Sequence, residues 1–123
     1  MTDLTLISVV DDDESVRESL PDLLRTLGYE ARAYASAGEF LESPALDDSK
    51  CLILDVAMPE MSGPELQKEL KRRQNDIPII FITAHADETT RPQLLKEGAS
   101  DCLAKPFSET ALIDALRVAL NEP

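Results

Sequence analysis

Carboxylates close two apolar runs in this chain: Leu4 to Val10 stops at Asp11-Asp12-Asp13, and Cys51 to Leu54 stops at Asp55. Two further runs end in complementary groups. Ile77 to Thr83 finishes in a hydroxyl, and Asp101 to Ala104 is followed by the ammonium of Lys105. Brought together, Asp11, Asp12 and Asp55 would repel strongly and raise one another's pKa unless a cation sat among them. Oxygen-only ligands at an open, partly hydrated site suit Mg²⁺ best. An aspartate nucleophile, a divalent cation, one hydroxyl and one lysine are the parts that phosphoryl transfer to a carboxylate requires: attack, charge neutralisation and oxygen positioning.

Whether these groups meet depends on the elements that carry them, and strand-like and helix-like patterns alternate along the chain. Leu4 to Val10 reads as a buried strand, and Ser15 to Leu27 sets Val16, Leu20, Leu23, Leu24 and Leu27 on one helical face before Gly28. Pro21 is expected to interrupt and bend that helix, because it removes a backbone donor. Glu30 to Tyr34 is a short strand, and Ala37 to Leu46 a helix. Cys51 to Leu54 is a strand, Pro59 to Gly63 a loop, and Pro64 to Arg73 a helix opened by proline. Ile77 to Thr83 is a strand, about Glu88 to Glu97 a helix ended by Gly98, and Asp101 to Ala104 the fifth strand. Ser108 then caps a last helix striped with Leu112, Ala115, Leu116, Ala119 and Leu120.

Five strands alternating with five helices imply an α/β fold, a doubly wound five-stranded parallel sheet, since parallel neighbours need helical crossovers that cover both faces. Ligands in such folds bind outside the carboxyl ends of the strands, where the strand order reverses. With the flavodoxin-like order 2-1-3-4-5, the first and third strands adjoin at that point and Asp11, Asp12 and Asp55 converge.

A chain of 123 residues, 43% hydrophobic, suffices for one compact domain and not for two, so residues 1–123 are read as one unit. Its 24 acidic against 12 basic residues give a net charge of −12, which argues against direct nucleic-acid binding. No apolar stretch approaches the roughly 20 residues of a membrane helix, and the N-terminus lacks a secretory pattern; a cytoplasmic setting is expected. Cys51 and Cys102 sit in apolar runs without CxxC spacing and read as buried free thiols.

In their combination and order, these residues resemble the response-regulator receiver domains of the CheY-like superfamily over essentially the whole length. The matching features are Asp11-Asp12 after Val9-Val10, Asp55 in LDVAMPEMSG, Thr83 in FITAH and Lys105 in KPF; DDDESVRESL and Met58 to Gly63 look most like the FixJ-type subgroup. The resemblance implies that Asp55 is the phosphoacceptor and that Asp12, Asp55 and the Ala57 carbonyl bind Mg²⁺, with Asp11 helping through water. It also implies that Lys105 pairs with the phosphoryl group, that Thr83 hydrogen-bonds it, and that the Lys105–Pro106 bond is cis. The implied partner is a sensor histidine kinase or phosphotransfer protein. The implied readout surface is the helix near Glu88 to Glu97, the strand Asp101 to Ala104 and the last helix, which could form a homodimer or contact an output domain. A DNA-binding output domain outside this chain fits the same resemblance.

One position departs from the family pattern: Cys102 stands where a Tyr or Phe is usual, three residues before the lysine. Without a ring to rotate, Thr83 and the loop that follows it are expected to carry the conformational change. Ala57 and Ala84 are small enough to leave a phosphoryl group open to water, and His85 is a candidate modulator of its hydrolysis. Asp13 reads as a solvated helix-start residue, and the runs at Asp47-Asp48 and Asp87-Glu88 as solvated loops. A haloacid-dehalogenase-like phosphatase shares the Asp and Mg²⁺ chemistry but typically places a second Asp where this chain has Ala57. A flavodoxin-like FMN carrier needs a phosphate-cradling turn after the first strand, where Asp11-Asp12-Asp13 would repel it. A receiver-like module acting without phosphorylation is the third alternative.

Overall fold

The computed structural model describes residues 4–84 and 89–121. Five parallel strands, β1 (Leu6–Val10), β2 (Glu30–Tyr34), β3 (Cys51–Asp55), β4 (Ile79–Thr83) and β5 (Asp101–Ala104), form one sheet in the order β2-β1-β3-β4-β5. This is the order that brings the first and third strands together. The helices are α1 (Glu14–Thr26), α2 (Ala37–Leu41), α3 (Ala45–Asp48), α4 (Gly63–Arg72), α5 (Thr90–Lys96) and α6 (Glu109–Ala119).

Alternation along the strands supplies both faces of the sheet, because successive side chains point opposite ways. On one face Ile7, Val9, Ile53, Ile80 and Ile82 pack with Leu20 and Leu24 of α1 and Leu112, Ala115 and Leu116 of α6. On the other, Val10, Leu52, Leu54 and Phe81 pack with Phe40 of α2, Leu66 and Leu70 of α4 and Leu94 of α5. Strands β1, β3 and β4 are buried at every position, as a centre covered by helices on both sides requires.

Local chemistry sets where the helices start. Ser36, Ser62 and Ser108 each accept a backbone N–H from the first turn of the helix that follows, and Ser62 with Glu65 completes a reciprocal capping box at α4. Asp47 and Asp48, expected in a loop, instead close helix α3, and two further expectations change. The helix over Ala37 to Leu46 is two short helices, α2 and α3, divided around Ser43-Pro44, where proline offers no backbone donor to continue the first. Among the described residues six helices therefore replace the expected five. Helix α1 instead runs unbroken through the buried Pro21, so this proline does not interrupt it.

Asp13 is the exposed N-cap of α1, its carboxylate accepting the Ser15 N–H at 2.9 Å, as a helix-start residue should. Cys51 and Cys102 are buried free thiols, and burial pushes the Cys51 thiol up to about 12. The fourth expected helix begins at Thr90; His85, Asp87, Glu88 and Pro123 lie outside the described residues. No helix among the described residues is long and apolar enough to cross a membrane.

Candidate functional site

Strand register decides which side chains share the carboxyl edge. Val10 lies opposite Leu54, so Asp11 and Asp55 follow side by side at the ends of β1 and β3. Asp55 pairs with Ile82, which puts Thr83 one step further on β4; Thr83 pairs with Ala104, and Lys105 comes next. The Lys105 N–H donates to the Thr83 carbonyl at 2.8 Å, and the Lys105–Pro106 peptide is cis.

Asp11, Asp12 and Asp55 each present an oxygen within 4.8 Å of the others. Their environments differ sharply. Asp11 is fully buried, Asp55 nearly so at 6% exposure, and Asp12 is exposed. Lys105 reaches into the cluster, its Nζ 2.8 Å from Asp11 Oδ2 and 3.6 Å from Asp55 Oδ1. Burial, then the negative charge of Asp11, push the Asp55 carboxyl up to about 7 against the opposing pull of Lys105. Burial pulls Lys105 down, but its hydrogen bond to Asp11 and the charges of Asp11, Asp55 and Asp13 outweigh this, and its pKa rises. One ammonium is thus insufficient to compensate the acidic cluster. An all-oxygen set still holding surplus negative charge, with one member open to water, fits a hard divalent cation such as Mg²⁺.

Thr83 is buried at the end of β4, close in register to Asp55. Ala57 lies exposed in the turn after β3, two residues past Asp55, and Ala84 is exposed directly after Thr83. The turn between Ala57 and α4 carries Glu60 at a φ of 67°, a left-handed conformation unusual for a residue with a side chain. Gly63 closes the same turn, donating its N–H to the Val56 carbonyl at 2.9 Å. A Cβ at Gly63 would stand 2.4 Å from the Asp55 carbonyl oxygen, so only glycine lets α4 approach the aspartate this closely.

Two supports of the site escaped the reading of the sequence. Gly63 was placed at a loop end without its contact to Asp55. Arg17 was not singled out, although its Nη1 donates to the Asp11 carbonyl at 3.0 Å. The only local signal for Arg17 is its position four residues after the N-cap Asp13, where a long side chain can fold back over the first turn.

Residues 7–117 match the family described as response regulator receiver domain. The response regulator protein TodT of Pseudomonas putida is 43% identical over 117 residues, covering 95% of this chain and 52% of TodT. A low-resolution structure of the response regulator StyR superposes with a TM-score of 0.87 at 45% identity, covering 97% of this chain and 60% of StyR. The crystal structure of FixJ-N gives a TM-score of 0.84 at 36% identity, covering 100% of this chain and 98% of FixJ-N. The chain spans about half the length of the curated relatives it matches, 52% and 50% for two of them.

Proposed function

Since the chain belongs to the response regulator receiver domains and so serves as a phosphoacceptor in two-component signalling, we propose that Asp55 is the residue that takes the phosphoryl group. The observation that carries this reading is the meeting of Asp55 with Asp11, Asp12 and Lys105 at one sheet edge. A carboxylate oxygen of Asp55 attacks the phosphorus of a phosphohistidine on a kinase or phosphotransfer protein. The P–N bond breaks and the imidazole leaves opposite the attacking oxygen. Asp55 reacts as the carboxylate, and with its pKa near 7 a substantial fraction is protonated at neutral pH.

Asp12, Asp55 and the Ala57 carbonyl, with Asp11 behind them, would hold a Mg²⁺, which when bound would supply positive charge favouring ionised Asp55 and neutralising the phosphoryl oxygens. Lys105, already within reach of Asp55, pairs with a phosphoryl oxygen, and the Thr83 hydroxyl hydrogen-bonds another. The domain turns over no other substrate; its chemistry is transfer to Asp55 and hydrolysis of its own acyl phosphate. Residues 1–123 act as one cytoplasmic receiver unit. The added charge shifts an equilibrium between two conformations, read at α5, β5 and α6 by an output domain or a second copy.

The test is intact-mass measurement after incubation with a small acyl-phosphate donor, with and without Mg²⁺, on wild type and Asp55→Asn. A Mg²⁺-dependent phosphoryl adduct on wild type, absent from the variant, is expected. An adduct surviving in Asp55→Asn would move the acceptor elsewhere.

A further inference from the structure

We propose that Arg17 is a positioning residue, holding the peptide between Asp11 and Asp12 so that Asp12 presents its carboxylate to a divalent cation. The inference deepens the reading of the acidic cluster as a Mg²⁺ site and rests on it. Every polar group of Asp11 is engaged. Its N–H donates to the Tyr34 carbonyl at 3.1 Å, its Oδ1 accepts the Asp13 N–H at 2.9 Å, and its Oδ2 accepts Lys105 at 2.8 Å. Its carbonyl oxygen accepts from Arg17 Nη1 at 3.0 Å.

That carbonyl shares one rigid plane with the Asp12 N–H, so fixing the oxygen fixes the direction in which Asp12 leaves the strand. Asp12 needs such support. It is exposed, it lies between the end of β1 and the cap of α1, and its carboxylate takes no hydrogen bond among the described residues. Asp11 and Asp55 are instead held by burial and by Lys105.

The placement of Arg17 is not explained by helix stability. The Arg17 N–H makes the first-turn bond of α1 to the Asp13 carbonyl at 3.1 Å, which sets a cation at the positive end of the helix dipole. The side chain folds back, half-buried, onto the strand-end carbonyl instead of extending into solvent. Charge and geometry make opposite demands at this position. A guanidinium beside the cluster repels an incoming cation, so loss of charge alone would tighten metal binding, whereas loss of the held peptide would weaken it.

Calorimetric titration of Mg²⁺ into wild type, Arg17→Ala and Arg17→Lys separates the two, with thermal melting in chelator reporting the fold. Arg17→Ala is expected to bind Mg²⁺ about tenfold more weakly, on the scale of one charged hydrogen bond to a backbone carbonyl. Arg17→Lys, which keeps a donor of similar reach, should recover most of that loss. Binding by Arg17→Ala as tight as or tighter than wild type would overturn the proposal. So would a Lys variant as weak as the Ala variant with an equally lowered melting temperature, because the role would then be structural. Absence of Mg²⁺ binding by wild type would remove the underlying reading and this inference together, whereas normal wild-type binding with an unaffected Ala variant would remove this inference alone.

Discussion

Substituting Gly63 by alanine adds a single methyl group at the most crowded point beside the acceptor aspartate. The new Cβ would lie 2.4 Å from the Asp55 carbonyl oxygen, 2.9 Å from Phe81 Cε1 and 3.1 Å from Val56 Cα. Ordinary contact requires about 3.4 Å or more, so the gap between α4 and the end of β3 has to open by about 1 Å. None of the obstacles yields easily. The Asp55 backbone lies at the end of a central strand, the following residue is tied by Val56 N–H to the Ile82 carbonyl at 3.1 Å, and Phe81 is fully buried. Helix α4 must move instead, carrying Leu66 and Leu70 out of register with the core they fill. Forced overpacking of this kind costs about 3 kcal/mol, the upper part of its usual range, because backbone stands in the way. Unfolding entropy of roughly 2.1 cal/mol/K per residue over 123 residues gives about 0.26 kcal/mol/K, so Tm should fall by about 12 °C. Circular-dichroism melting of wild type and Gly63→Ala measures it. Acceptance of phosphate from a small acyl-phosphate donor at 15 °C, where the variant is still folded, should also slow, because the turn that runs from Ala57 into the displaced α4 moves relative to Asp55. A Tm within 3 °C of wild type would mean that the chain had absorbed the methyl group without displacing either wall, and the predicted crowding would be wrong.

Protonation of Asp55 gives a prediction with a defined sign. With its pKa raised to about 7, the folded chain binds more protons than the unfolded one between about pH 4 and 7, so ionisation of Asp55 erodes stability as pH rises through that window. In chelator, Asp55→Asn should melt above wild type at pH 8 and level with it near pH 4; an equal difference at both values would show that charge is not the cause. Lys105→Ala leaves the buried Asp11 Oδ2 without its cation and should cost about 3 kcal/mol in urea denaturation at pH 8 in chelator, with millimolar Mg²⁺ restoring part of it. An unchanged denaturation midpoint would deny Lys105 that role. Glu60→Gly removes a left-handed non-glycine residue at φ 67° and should raise stability by about 1 kcal/mol in the same assay; no gain would mean that Glu60 makes compensating interactions in that turn.

Strand ends were legible because each apolar run stops at a residue that cannot be buried cheaply, and the start of the last helix because Ser108 caps within three residues of itself; the Ser36 and Ser62 caps emerged only in the structure. Glu30 to Tyr34 and Asp101 to Ala104 fall where their patterns put them. The split at Ser43-Pro44 was missed because the apolar spacing from Ala37 to Leu46 continues across the proline, and hydrophobic period records a face without recording continuity. Pro21 shows the reverse: a local breaker is overridden where Leu20 and Leu24 beside it fill the core.

The alternating elements, the parallel sheet, and Asp11, Asp12, Asp55, Thr83 and Lys105 at the strand ends are all written in local sequence. Those follow from patterns that span a few residues at a time. Long-range packing sets the rest: Asp11 is buried while Asp12 stands in solvent, burial and Asp11 push the Asp55 carboxyl up to about 7, and Arg17 and Gly63 contact the backbone of the two strand ends. Desolvation and charge depend on what is packed within a few ångströms, and here those neighbours come from far along the chain. The Lys105 ammonium on Asp11 arrives from 94 residues away.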